Sequence, residues 1–454
     1  MEDLGVELTA TETRAKPRIA IVGGGYAGMA AAVRLAELGR NSIVFEAGQV
    51  LGGRARRIEY RGAMLDNGQH ILSGAYTELL RMMALVGVPA GAVKRIPLTL
   101  NISPDFSLRA PRLPAPLHLA WALLTAKGLR LAERWAAIRL MRALERCRFI
   151  VDPDWSVAQL MGHYQQPDSL VRNLWQPLTI SALNTPLETA SAQVFACVLR
   201  DALASTREAS DLILPCVDLS ALFPEPAADW LTARGGEVQL GARIGRIECV
   251  DTEGAKRWAI GKSDTSGLSA LAGSDRKLFD RVIIAVAPHQ LESLALPTRL
   301  LPQPLAVEPI YTVYLQYAQS IPLRHPMLGQ LTGHCQWFFD REQLSGVRGL
   351  AAAVISASGP HEALDQYQLA QCVHRELETH VGPLPAPLWH KVIAEKFATF
   401  ACTPALRRPA ATTSLPGLYL AGDYVAGDYP ATLEAAVRSG AHAAELVNAS
   451  IPNQ

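Results

Sequence analysis

The run Gly23-Gly24-Gly25-Tyr26-Ala27-Gly28 follows a short apolar stretch, Arg18–Val22, and opens an alanine-rich one. In a GxGxxG loop between strand and helix, the first glycine, here Gly23, permits the tight turn. The second, Gly25, lets the backbone approach a pyrophosphate, and the third, Gly28, allows close helix–strand packing. The amides around Ala27 then open a helix, whose first N–H groups lack internal partners and suit phosphate oxygens. Glu46 ends the next apolar run, 21 residues after Gly25, where a carboxylate accepts hydrogen bonds from a ribose diol. Gly52-Gly53-Arg54 adds two backbone positions open to a diphosphate and a guanidinium for charge-assisted bonds. Pyridine-nucleotide sites do not require this second glycine element, so the pair of loops points to FAD over NAD.

A third element lies near the far end. Gly422-Asp423 follows the apolar run Gly417–Ala421, and Pro430-Ala431-Thr432-Leu433-Glu434 leads into an alanine-rich segment reaching Glu445. Asp423 is placed to accept from ribitol hydroxyls. A helix starting at Thr432 and Leu433 would aim its positive end at the flavin N1/O2 edge and favour the anionic reduced form. Gly235–Ile247 reads as strand–turn–strand. The Ile244 amide there is a candidate contact for adenine, the alternative being a plain sheet edge.

These loops need a parallel sheet to hold them. Arg18–Val22, a helix over Tyr26–Leu38 closed by Gly39, and a strand over Ser42–Glu46 form a βαβ unit. Arg281–Ala287 and Gly417–Ala421 read as further strands of the same sheet. The fold class is therefore α/β, a discontinuous Rossmann-like FAD-binding domain (17–78, 224–294 and 401–450) with an inserted α+β substrate domain (79–223 and 295–400). Leu79–Phe223 reads as mostly helical. Glu308–Phe400 mixes strand-like runs such as Ile310–Tyr317 with a helix near Ala363–His380. Residues 1–16 read as a disordered tail and Lys262–Lys277 as a loop.

Composition agrees with two domains. The chain has 454 residues, 49% of them apolar and 19% charged, with a net charge of +1. That balance gives no case for nucleic acid as a partner. Seven cysteines are scattered without a CxxC pair, against a disulfide framework or a zinc site and for a reducing compartment. Met1–Lys16 lacks the apolar region of a signal peptide. No run approaches the roughly 18 apolar residues of a membrane span. A cytoplasmic protein is expected, with room for one that lies on a membrane.

The chain resembles the FAD-dependent amine oxidase/phytoene desaturase superfamily over nearly its whole length. More narrowly it resembles the squalene-associated subfamily, the hydroxysqualene dehydroxylases of hopanoid biosynthesis. Carrying that likeness are Asp66-Asn67-Gly68-Gln69-His70 with Gly74-Ala75-Tyr76, Leu183-Asn184-Thr185-Pro186, and Ala190-Ser191-Ala192. Asp211–Pro215 with Val217-Asp218-Leu219, and the Gly422–Gly440 segment, complete it. The resemblance implies non-covalent FAD, with Gln69 among its contacts, and an apolar C30 isoprenoid substrate whose allylic hydroxyl is replaced by hydride from reduced flavin N5. Such chemistry needs an apolar tunnel, an acid for the departing oxygen and exclusion of water. The runs Leu174–Leu187, Val194–Leu203 and Ile310–Tyr317 are candidates for tunnel or plain core. His70 is the nominated catalytic acid, with a proton useful near neutral pH, and Asp428 and Tyr429 are the alternatives. The electron donor to FAD is not indicated by any second GxGxxG.

Pro116–Arg148 holds Trp121, Trp135, many leucines and seven basic residues against Glu133 and Glu145. It is a candidate for peripheral membrane contact. At helical pitch, however, basic and apolar positions intermix without a clean stripe, as in a core helix with a solvated basic face. Three other functions share the fold: a carotenoid-type desaturase, an amine oxidase with Tyr424 and Tyr429 as an aromatic cage, and a prenyl-lipid-binding protein without flavin.

Overall fold

The computed structural model describes residues 17–104, 106–252, 255–263 and 277–452. The tail 1–16 and positions 264–276 of the expected loop lie outside the described residues. Lys262 and Lys277 are themselves strand ends.

Five parallel strands carry the dinucleotide loops: β1 (Ile19–Val22), β2 (Ser42–Phe45), β3 (Glu237–Gln239), β4 (Arg281–Ile284) and β5 (Leu418–Leu420). Their spatial order is β3-β2-β1-β4-β5, so β1 sits at the centre with Ile19 between Ser42 and Arg281. Parallel strands buried on both faces are apolar throughout, which is why Ile19–Val22 shows no alternation in sequence. Its side chains nevertheless divide between two cores. Ile19 and Ile21 pack with the helix Tyr26–Glu37, while Ala20 and Val22 face Phe45, Trp258 and Phe279. The first face is helical, built from Tyr26–Glu37 and Leu433–Ala449. The second is covered by an antiparallel sheet of Ile244–Thr252, Ala255–Lys262 and Lys277–Phe279.

A seven-stranded sheet forms the other half of the molecule. Its order is Trp389–Phe400, Val307–Gln316, Leu350–Ser356, Trp337–Asp340, Met327–Gln330, Thr99–Ser103 and Phe106–Arg109. The helix Gln366–Val381 covers one face through Leu369, Val373 and Leu377.

Two features differ from the sequence reading. Leu79–Phe223 is not simply helical. It contributes Thr99–Ser103 and Phe106–Arg109 to the large sheet, and Val93–Ile96 pairs with Leu212–Pro215. Val93–Ile96 gains its hydrogen bonds from a partner far along the chain and leaves a weak local signal, whereas Thr99–Ser103 and Phe106–Arg109 are a local hairpin. Leu79, Met82 and Met83, placed by sequence in the substrate unit, pack in the core under Tyr26–Glu37. The reason is Glu434, a fully buried carboxylate that accepts from the Glu78 and Leu79 amides at 3.0 and 2.9 Å and so caps the helix Thr77–Leu85.

Candidate active site

A cavity of ≈ 740 Å³ lies along the C-terminal ends of the parallel strands and runs under the seven-stranded sheet. Gly23, Gly25, Ala27, Glu46, Gly53, Arg54, Gln69, His70, Ile244, Gly422, Asp423, Thr432 and Leu433 all line it. Of the residues expected to bind the cofactor only Gly28 stands behind the wall. A Cβ there would meet the Gly23 carbonyl oxygen at 1.9 Å, the close packing required of the third glycine.

The two glycine loops are pinned to each other. The Gly52 amide donates to the Gly24 carbonyl at 3.0 Å, and Gly53 adopts φ +64° directly beside Gly25. Side chains at this approach would fill the space, so bare backbone from both loops faces the cavity. Glu46 closes the opposite side, with its two oxygens accepting from the Gly24 and Gly48 amides at 2.7 Å each. Ile244 begins the adjoining antiparallel strand, whose approach is fixed by the Ala242 amide donating to the Glu46 carbonyl. Thr432 caps Leu433–Ala449 by accepting from the Ala435 amide at 3.1 Å, so the positive end of that helix faces the same cavity. Glycine backbone, a fixed carboxylate and a helix N-terminus on one elongated cavity fit a flavin dinucleotide.

Arg54, expected to bond a diphosphate, also has protein partners. Its guanidinium pairs with Asp423 at 2.5 Å and donates to the Ala398 carbonyl at 2.6 Å. Burial opposes the Arg54 charge, but the Asp423 carboxylate outweighs it and raises the guanidinium pKa. The link joins the Gly52–Arg54 loop to the end of β5 across 369 residues of sequence.

Asp66, Asn67, Gln69 and His70 enter from the turn after the strand Ala63–Asp66. Asp66 is buried and accepts from the Leu219 amide, while Arg341, also buried, approaches its other oxygen at 3.7 Å. Burial overcomes that attraction and pushes the Asp66 carboxyl up to about 6. Arg341 also donates to the Gln69 side-chain oxygen at 2.7 Å, and Asn67 donates to Glu395 at 2.8 Å. His70 shares its Nδ1 proton with the Gly68 carbonyl at 2.6 Å, leaving Nε2 as an acceptor. Burial holds its pKa below the ordinary histidine value, against the pull of Gly68. That shift runs against the ground on which His70 was nominated as the acid, a proton held near neutral pH.

The alternatives fare no better. Asp428 is exposed, and Tyr429 donates to Asp201 at 2.6 Å; neither lines the cavity. Tyr424 does line it, with a buried hydroxyl lacking a hydrogen-bond partner. Tyr424 and Tyr429 thus do not form a cage. Of the three apolar runs, Val194–Leu203 is core, whereas Leu174–Leu187 and Ile310–Tyr317 contribute Ala182 and Ile310 to the wall. Sequence reasoning passed over Trp337, Phe339 and Val354, which form the apolar wall, together with Glu395 and Arg341. For Trp337 and Phe339 the advance signal was the strand-like run WFFD, which gave no indication of which face it turns inward.

The family model of flavin containing amine oxidoreductases matches residues 26–448. The chain belongs to this family. Its cofactor is a flavin, and the dinucleotide elements at Gly23–Gly28 and Glu46 identify the form as FAD. Among relatives of this flavoprotein, a hydroxysqualene dehydroxylase of Rhodopseudomonas palustris is 30% identical over 95% of this chain and 98% of its own. One from Zymomonas mobilis is 29% identical over 94% of this chain and 98% of its own. A solved oxidoreductase from Methanosarcina mazei superimposes with a TM-score of 0.72 at 15% identity, covering 94% of this chain and all of that one (100%), which establishes the shared fold.

Proposed function

We propose that this flavoenzyme converts hydroxysqualene to squalene, replacing the allylic hydroxyl by hydrogen. The observation that carries the reading is near end-to-end similarity to two hydroxysqualene dehydroxylases, combined with a cavity whose dinucleotide half continues into an apolar half. Gly23–Gly28 and Gly53 would hold the diphosphate, Glu46 the ribose, Ile244 the adenine edge, and Asp423 with Arg54 the ribitol side. Gln69, Thr432 and Leu433 would border the flavin ring. Bound and reduced, FAD supplies the hydride. Net, one hydride from the reduced flavin and one proton from solvent would replace the hydroxyl, which would depart as water. Trp337, Phe339, Val354 and Ile310 bind the hydrocarbon and keep water from the electron-poor carbon. Arg341 orients Gln69 at the cavity wall, where His70 also lies with its Nδ1 held by the Gly68 carbonyl.

An anaerobic single turnover of dithionite-reduced protein with hydroxysqualene tests this. The expected result is flavin reoxidation matched mole for mole by extracted squalene. Reduced flavin that persists through exposure to hydroxysqualene, with oxidised enzyme bleached by phytoene-like polyenes, would overturn it in favour of a desaturase.

A further inference from the structure

Outside the cavity, the strongest unexplained surface is the helix pair Leu117–Thr125 and Leu131–Arg146. It lies against the edge strand Phe106–Arg109, joined through the Lys127 and Ser107 backbones. In the first helix Leu117, Trp121 and Leu124 recur at i, i+4 and i+7, all exposed, while His118 and Ala122 face inward. In the second, Ala136, Ala137, Leu140 and Leu144 are buried. Trp135, Arg139, Arg142 and Arg146, at i, i+4, i+7 and i+11, share the outer face. The mixing seen in sequence thus runs along the axis and not around it. Apolar residues gather towards the connection between the helices, which itself carries Lys127 and Arg130, and Arg139, Arg142 and Arg146 follow behind.

Exposure here is not incidental. Trp121 is 54% exposed, Trp135 51% and Leu131 63%. Of the thirteen large apolar side chains exposed among the described residues, seven fall between Leu113 and Ile150, a concentration that scattered surface residues do not produce. The charge is as uneven. Lys127, Arg130, Arg139, Arg142, Arg146 and Arg148 are all exposed, against a net charge of +1 for the whole chain. Glu133 is buried and engaged by Ser169 and the Arg130 amide, leaving Glu145 as the exposed acid of this stretch. Arg134 donates to the Leu124, Ala126 and Leu129 carbonyls, fixing the connection that presents the tryptophans.

We infer that this helix pair docks on an anionic phospholipid bilayer, with Trp121, Leu124, Leu131 and Trp135 entering the interface and Arg139, Arg142 and Arg146 meeting headgroups. Tryptophan at the water–lipid boundary and arginine beside anionic headgroups are each favoured there. A protein partner of acidic surface would also engage tryptophans and arginines, and would leave the chain unbound to vesicles in the test below. The inference stands on this surface and not on the substrate assignment.

The test is flotation of full-length, FAD-loaded protein with vesicles of phosphatidylglycerol and phosphatidylcholine, or of phosphatidylcholine alone, at low and high salt. Wild type should float with the anionic vesicles and release substantially in high salt. Trp121→Ser with Trp135→Ser should weaken binding about tenfold or more. Each of Arg139→Gln, Arg142→Gln and Arg146→Gln should weaken it about fivefold. All variants should keep their flavin absorbance and their turnover in detergent, so that loss of binding is separable from misfolding. Failure of wild type to float, equal flotation of the variants, or a dimer in solution that the tryptophan changes dissolve would each overturn the inference.

Discussion

Asp66 holds an unusual position for a carboxylate, buried beside Arg341 yet with its pKa pushed up to about 6 by desolvation. The folded state therefore prefers Asp66 protonated, whereas the unfolded chain releases that proton near the ordinary aspartate value. Its contribution to stability is complete below that ordinary value and is lost as pH rises through about 6. Other carboxylates, such as Glu37 paired with Arg81, are shifted downward and contribute with the opposite sign. A direct comparison isolates Asp66. Urea unfolding of wild type and Asp66→Asn should show wild type losing up to about 3 kcal/mol relative to the variant between pH 4 and 7. Asparagine preserves the acceptor for the Leu219 amide, so the difference reports charge. Parallel pH profiles would remove the case for a raised Asp66.

At the scale of elements, the two glycine loops meet through backbone, and the helix Thr77–Leu85 is started by a side chain brought from far away. Glu434 accepts from two orphan amides of Thr77–Leu85 and from Arg438, all from a site with no exposure. Glu434→Ala would leave those amides buried and unpaired, at about 2–4 kcal/mol. Chemical denaturation should report that loss, while Glu434→Gln, which keeps an acceptor, should lose less. Equal losses for both would show that charge alone matters. This contrast also marks what could be read beforehand. Gly23–Gly28, Glu46 and Gly53 were legible because each performs its task within a few residues of a strand end. The helix start at Thr432 was legible for the same reason. Arg341 and Glu395 were not, because their place depends on strand register in a sheet assembled from segments hundreds of residues apart. Thr99–Ser103 alternates inward and outward in its burial, a period-two signal that a count of that segment alone would have caught. The Arg54–Asp423 pair was visible as two separate candidates, but their meeting was not, since no spacing rule joins positions 54 and 423.

For the whole molecule, both ends of the sequence meet at one site. The helix Tyr26–Glu37 packs against Leu433–Ala449, and β1 reaches β5 through β4 alone. A chain ended after Leu415 retains the entire Gly23–Gly28 loop but lacks β5, Asp423 and the helix N-terminus at Thr432. Such a chain should take up no FAD, as judged by flavin absorbance after desalting, despite carrying the most recognisable cofactor motif. Retention of stoichiometric flavin would show that the N-terminal loop binds without its partner elements.

That meeting of ends also sets a schedule for synthesis. The alanine-rich face of Tyr26–Glu37 leaves the ribosome about 400 residues ahead of the helix that covers it, roughly 20–80 s at usual elongation rates. Throughout that interval an apolar groove lies open and flavin has no complete place to bind. Cofactor capture thus waits until Leu433–Ala449 has been made, and FAD cannot shield the open groove of the growing polypeptide before then.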